Sequence, residues 1–310
     1  IVFAKIGLGL LNNRFRITTE PTLIDNNMMA AIPNEKISSE ELCCIFTTID
    51  MGTWAIGAAL PYLRQSDLEK IPLDHLSLDK IESVASIRGN IGLAMDNNSD
   101  MISYSEQFSL SLFKSWFIDF EPIIANAEGR ILDGMSKESA ALFPDTFQEV
   151  PHYGKIPSGW RLGSILDTDM AKLIKTGIQN YEGVKEYIDT SCITGTTLQS
   201  YGESFDFEGR PSRASMQPIF ESVWLAKMDA GTKLLSLTKY DSHIVNNCLL
   251  STGYFGLSPA EPENLEFLHY LFLSETFPFL HNSYSTGTLM SGLNNATLAK
   301  IPIVIPPKEI

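Results

Sequence analysis

The chain has 310 residues, 44% hydrophobic and 19% charged, a balance that excludes a disordered chain and leaves room for about two domains. With 23 basic against 37 acidic residues its net charge is −14, so an anionic partner would have to be met by a local basic face. Four cysteines without a Cys-x-x-Cys pair and five scattered histidines signal no metal site and no redox site.

The first stretch, residues 1–73, opens on the apolar run Val2-Phe3-Ala4-Lys5-Ile6. No basic segment precedes this run and no small-residue cleavage site follows it. It is therefore expected to be a strand that begins inside a domain rather than a secretion signal. Gly7-Leu8-Gly9 lacks the third glycine of a dinucleotide loop and is expected to be a turn. Asn12-Asn13-Arg14-Phe15-Arg16 places polar and basic side chains between two apolar runs. Asn13, Arg14 and Arg16 are candidate DNA contacts, because asparagine can fork onto adenine and arginine onto guanine or phosphate. Ordinary solvated surface is the competing reading of each.

Residues 76–120 carry Ile81, Val84, Ile91, Met95, Ile102, Phe108, Leu112 and Trp116 near a 3.5-residue spacing, which predicts a coiled-coil-like helix. Unbroken, about 40 helical residues would span roughly 60 Å, the length of a spacer more than of a core element. The stripe weakens at Asn97-Asn98-Ser99-Asp100, and Pro122 is expected to end the helix. This middle is also acidic, with four basic and nine acidic residues over 74–130. Residues 123–157, rich in glycine and proline, are expected to be linker and lead-in.

In residues 158–310, the stretches Val184–Ile188, Ile219–Met228 and Lys233–Leu237 are predicted strands, and Glu261–Leu273 and Thr288–Lys300 predicted helices. Basic side chains again sit in strand and loop contexts, and Arg210, Arg213, Lys227 and Lys233 are the DNA-contact candidates here. A long-period repeat links the two regions. Val2-Phe3-Ala4-Lys5-Ile6, Ile24-Asp25-Asn26-Asn27 and Leu68-Glu69-Lys70-Ile71-Pro72 return in the same order as Trp224-Leu225-Ala226-Lys227-Met228, Ile244-Val245-Asn246-Asn247 and Leu298-Ala299-Lys300-Ile301-Pro302. The offsets are 222, 220 and 230 residues.

No phosphate-binding loop, nucleophile elbow, paired metal histidines or base-gripping Asn-Pro-Pro-aromatic motif occurs, so nothing in the sequence organises chemistry. No apolar run reaches the ~18 residues of a membrane span, and a reducing cytoplasm is the expected setting of the thiols.

Leu112-Phe113-Lys114-Ser115-Trp116-Phe117-Ile118-Asp119-Phe120-Glu121-Pro122 with Ala127-Glu128-Gly129-Arg130 resembles type I restriction-modification specificity subunits. So do Ala141-Leu142-Phe143-Pro144-Asp145-Thr146-Phe147, Ile156-Pro157-Ser158-Gly159-Trp160 and Arg210-Pro211-Ser212-Arg213-Ala214. The resemblance implies an α+β fold of two target-recognition domains, the first incomplete, separated by a long coiled-coil-like helix. Residues 1–73 would be the end of the first recognition domain, 74–122 the spacer helix, 123–157 a linker and 158–310 the second domain. It also implies a DNA reader of a split site with no catalysis and no cofactor of its own. Its partners would be double-stranded DNA, methyltransferase (modification) subunits and, through them, a restriction/translocase subunit, with no membrane. The alternatives are a silent recognition cassette or a fragment of a fused adenine methyltransferase or nuclease.

Overall fold

Residues Leu78–Phe113 form one α-helix that passes through Asn97–Asp100 without a break, and a π-helical turn Lys114–Ile118 extends it. Gly89 and Gly92 do not interrupt it; each weakens a helix by only about 1 kcal/mol against alanine, too little to break a long one. Pro122 does not end it, contrary to expectation. The chain turns at Phe120, whose φ of 56° is left-handed, and Pro122 lies in the first turn of the next helix, Glu121–Ala127. A proline is tolerated there because the amide hydrogen it lacks has no intrahelical acceptor.

The computed structural model describes residues 1–73, 76–228, 232–285 and 292–310, so His75 lies outside the described residues. They fall into two units, residues 1–104 and 105–310, with the long helix continuing across the division. Strand-bearing regions occur before and after that helix, and the fold is α+β. Among the described residues no helix is long and apolar enough to cross a membrane.

In the first unit, strands Phe15–Arg16, Val2–Ala4 and Met28–Ala30 make an antiparallel sheet with Val2–Ala4 at its centre. Phe3 packs with Leu10, Cys44, Ile45, Met51 and Leu63, and the long helix adds Ile81 and Ala85 to this core. Helix Ser39–Thr47 starts where Ser38 caps the amide of Glu41 and Glu41 returns the bond. Val84, Ile87, Ile91, Met95 and Ile102 stay exposed along the long helix.

The second unit holds two four-stranded sheets. One has the order Leu234–Leu237, Ser222–Ala226, Tyr254–Pro259, Ala171–Leu173, all antiparallel. The other runs Ser204–Phe205, Lys185–Ile188, Cys248–Ser251, Ala214–Met216, with a parallel pair at its middle. Predicted strands and helices thus match observed ones with shorter ends, and the helix Glu263–Leu273 covers the first sheet through Leu268 and Phe272. Of the helix predicted over 288–300, only Asn295–Leu298 is helical, and residues 288–291 lie outside the described residues. Residues 123–157 carry the helix Lys137–Ala140 and the hairpin Phe147–Val150/Gly154–Pro157, beside a small core of Ile123, Phe143 and Trp160.

The sequence repeat is a repeat of hydrogen bonding. Phe3 pairs with Phe15 and Met29, as Leu225 pairs with Leu234 and Phe255. The Lys5 amide donates to Asn27 O and its carbonyl accepts from Leu63 N, both at 2.8 Å; Lys227 does the same with Gly253 O (2.9 Å) and Leu293 N (3.2 Å). Ile6 bridges Tyr62, as Met228 bridges Gly292. Short helices then follow at Gln65–Leu68 and Asn295–Leu298. The second anchor differs: Ile24–Asn27 leads into a strand, whereas Ile244–Asn247 lies in helix Ser242–Asn247, and the structural counterpart of Asn27 is Gly253.

Candidate nucleic-acid interface

Two of the four basic candidates of the second unit, Lys227 and Arg213, meet at the turn Thr252-Gly253, which joins strands Cys248–Ser251 and Tyr254–Pro259, and a third, Lys233, bonds the adjoining Thr190. Lys227 follows the central strand Ser222–Ala226, and its Nζ donates to Thr252 O at 2.8 Å. Its ammonium lies over the Phe255 ring, 5.1 Å from the centroid, and burial pushes its pKa down. Lys233 immediately precedes the neighbouring strand Leu234–Leu237, and its Nζ donates to Thr190 O at 2.8 Å. Arg213 is exposed, and its carbonyl accepts from Thr252 N at 2.9 Å. A Cβ on Gly253 would stand 3.1 Å from Arg213 Nη2 and 3.4 Å from Thr190 Cγ2, so the absent side chain leaves room for the guanidinium.

The Thr190 turn is itself fixed. Asp189 Oδ1 accepts from Ser191 N at 2.7 Å, and Tyr254 Oη donates to Asp189 O at 2.8 Å. Burial strongly raises the Tyr254 pKa, which keeps that donor protonated. Two ammonium groups held on carbonyl oxygens beside one exposed guanidinium give a basic patch with backbone-set spacing. Each ammonium retains donors beyond the one bonded.

Arg210 belongs elsewhere. Its guanidinium lies over the Phe207 ring, 4.0 Å to the centroid, and donates to Phe207 O, within a loop that Asp206 closes on Gly209 N at 2.6 Å. In the first unit Asn13, at φ 52°, uses both ends of its amide: Nδ2 donates to Ile49 O at 2.9 Å and Oδ1 accepts from Met51 N at 3.1 Å. Arg14 and Arg16 are exposed on and beside the strand Phe15–Arg16.

The repeated register adds one further basic residue to the candidates. Lys5 takes the place of Lys227, and Arg14, immediately before Phe15, takes the place of Lys233, immediately before Leu234. Lys5 also lines a cleft of 720 Å³ with Asn26, Asn27, Tyr62, Arg64 and Gln65. The signal was present in the sequence as the shared Ala-Lys-aliphatic anchor.

No family profile matches the chain. Over 160 residues, 49% of the chain, it is 28% identical to the type I restriction enzyme MjaIX specificity subunit of Methanocaldococcus jannaschii, of which 33% is covered. Over 263 residues, with 69% of the chain covered, it is 25% identical to the HindI specificity subunit of Haemophilus influenzae, of which 54% is covered. The chain therefore spans about a third and about half of the lengths of these relatives. Among solved structures it is similar to a type I restriction-modification S subunit from M. genitalium, with 10% identity, a TM-score of 0.45 and coverage of 98% of this chain and 71% of that one. It is also similar to an HsdS subunit from Thermoanaerobacter tengcongensis, with 15% identity, a TM-score of 0.32 and coverage of 87% and 58%.

Proposed function

We propose, on the premise that this chain is a type I restriction-modification specificity subunit, that it reads double-stranded DNA and leaves all catalysis to the subunits it assembles with. The two halves of a split target would be met by the two repeated sheets. The observation that carries this reading is the placing of Arg213 and Lys227 at the Thr252-Gly253 turn, with Lys233 on the adjoining Thr190. In a chain of net charge −14, a backbone-held cluster of cations is what phosphate contact requires. Lys5 and Arg14 are the matching contacts of the first sheet. Arg16 flanks them, whereas Asn13 and Arg210 act inside their loops.

The acidic long helix, with Ile87, Ile91, Met95 and Ile102 exposed, is suited to protein partners rather than to DNA, and modification subunits are the partners it would scaffold. A methyltransferase or nuclease fragment is disfavoured because none of the cofactor or base-gripping motifs is present.

The test is a salt titration of wild type and Arg213→Ala, each assembled with its modification subunit, on target and single-mismatch duplexes. If Arg213 forks onto a base, affinity falls by about 1–3 kcal/mol and preference relaxes at one position. If it meets a phosphate, affinity falls on every sequence and the salt slope shrinks by about one. Unchanged affinity and slope would remove this face from the interface.

A further inference from the structure

We propose that Glu186, His243 and Cys248 form a binding site for a zinc-class divalent metal on the second sheet of residues 105–310. Glu186 and Cys248 are direct partners across the parallel pair Lys185–Ile188 and Cys248–Ser251. The helix Ser242–Asn247 runs straight into the second of these strands and brings His243 back over both. Glu186 Oε2 lies 2.8 Å from His243 Nε2 and 3.7 Å from Cys248 Sγ, and the three donor atoms are all within 4.8 Å of one another.

Tetrahedral zinc, with bonds of about 2.0–2.3 Å, holds its donors roughly 3.4–3.7 Å apart. The thiol and carboxylate already have that separation, the imidazole would move about half an ångström from the carboxylate, and its nitrogen starts within 4.8 Å of the thiol sulfur. The donor set also selects the metal: thiolate and imidazole suit zinc, whereas magnesium and calcium take oxygen ligands. His243 is half-exposed, so solvent can supply a fourth ligand.

A dication neutralises the carboxylate and takes the thiolate, with one proton leaving the sulfur for solvent. Asn247 Nδ2 lies 3.2 Å from His243 Nδ1. With Nε2 on the metal, Nδ1 carries the proton, and a flipped Asn247 amide presents its oxygen to accept it. The buried Cys248 thiol also donates to the carboxylate oxygen that His243 meets, so the three donors are gathered about one point.

The experiment titrates the reduced, metal-free 310-residue chain with cobalt(II), a spectroscopic stand-in for zinc. The expected result is one equivalent bound, with the intense visible bands of a tetrahedral site and a thiolate-to-cobalt charge-transfer band, both displaced by zinc. Cys248→Ser should abolish the charge-transfer band although Cys43, Cys44 and Cys192 remain. Since Cys248 is wholly buried, the exposed His243→Ala serves as the variant that keeps its fold by circular dichroism; its cobalt affinity should fall at least about tenfold. No charge-transfer band in the wild type, or wild-type affinity in folded His243→Ala, overturns the assignment.

Discussion

The central strands Val2–Ala4 and Ser222–Ala226 occupy the same place in their sheets but pack in opposite ways. Val2 lies between Arg16 and Ala30, and Trp224 lies between Leu235 and Gly256. The second pairing is a size exchange. Trp224 is fully buried with its indole N–H on Ser222 Oγ at 2.8 Å, and a Cβ on Gly256 would stand 2.5 Å from the ring. Gly256 carries no positive φ, so contact with the indole, not backbone geometry, excludes a side chain there. The first sheet, with valine against alanine, needs no such accommodation. One backbone register therefore supports two cores, and the second tolerates much less change.

The largest expected effect is Trp224→Ala, which should destabilise residues 105–310 by about 3–5 kcal/mol through lost burial and the cavity left behind. Val2→Ala at the equivalent position should cost only about 1 kcal/mol. Urea unfolding of both variants measures the pair, and similar losses would break the comparison. Next comes Gly256→Ala, expected to cost about 1–3 kcal/mol by overpacking the indole. Its mirror, Ala30→Gly, should cost about 0.5–1 kcal/mol through chain entropy alone. A neutral Gly256→Ala would mean that the Trp224 ring can move aside.

A third test asks whether the shared register carries a shared function. Arg14→Ala and Lys233→Ala should each reduce the salt slope of DNA binding by about one, in the assembled complex. A drop from one variant only would confine phosphate contact to one sheet. The smallest effect concerns acid. His269 accepts or donates a 2.8 Å bond with Ser236, and burial lowers its pKa despite Glu106 nearby. A depressed histidine pKa means that the unfolded chain takes up its proton first, so stability present at neutral pH is lost as pH falls below about 6.5. His269→Gln should flatten that part of the profile of thermal midpoint against pH. No equivalent histidine is found among the described core residues of the first unit, so its acid response should lack this component.

Periodicity and recurrence determined much of this protein from the sequence alone. Apolar side chains near every 3.5 residues specify the 36-residue helix because helical geometry repeats locally, and so it crosses Asn97–Asp100 and two glycines. The Ala-Lys-aliphatic anchors specify the repeated strands for the same reason: a strand's pattern is contained in its own residues. Tertiary structure decided the rest. Pro122 opens a helix instead of closing one because Phe120 had already turned the chain. Among basic residues equally visible in sequence, Lys227 and Arg213 meet at one turn with Lys233 on the adjoining Thr190, whereas Arg210 folds onto Phe207. Asn13 is tied up by Ile49 and Met51, 36 and 38 residues away. Glu186 meets His243 and Cys248 across 57 and 62 residues, only because two parallel strands pair in one register. Side-chain type and spacing are local properties of the chain, but which donors share a surface depends on strand pairing between distant segments.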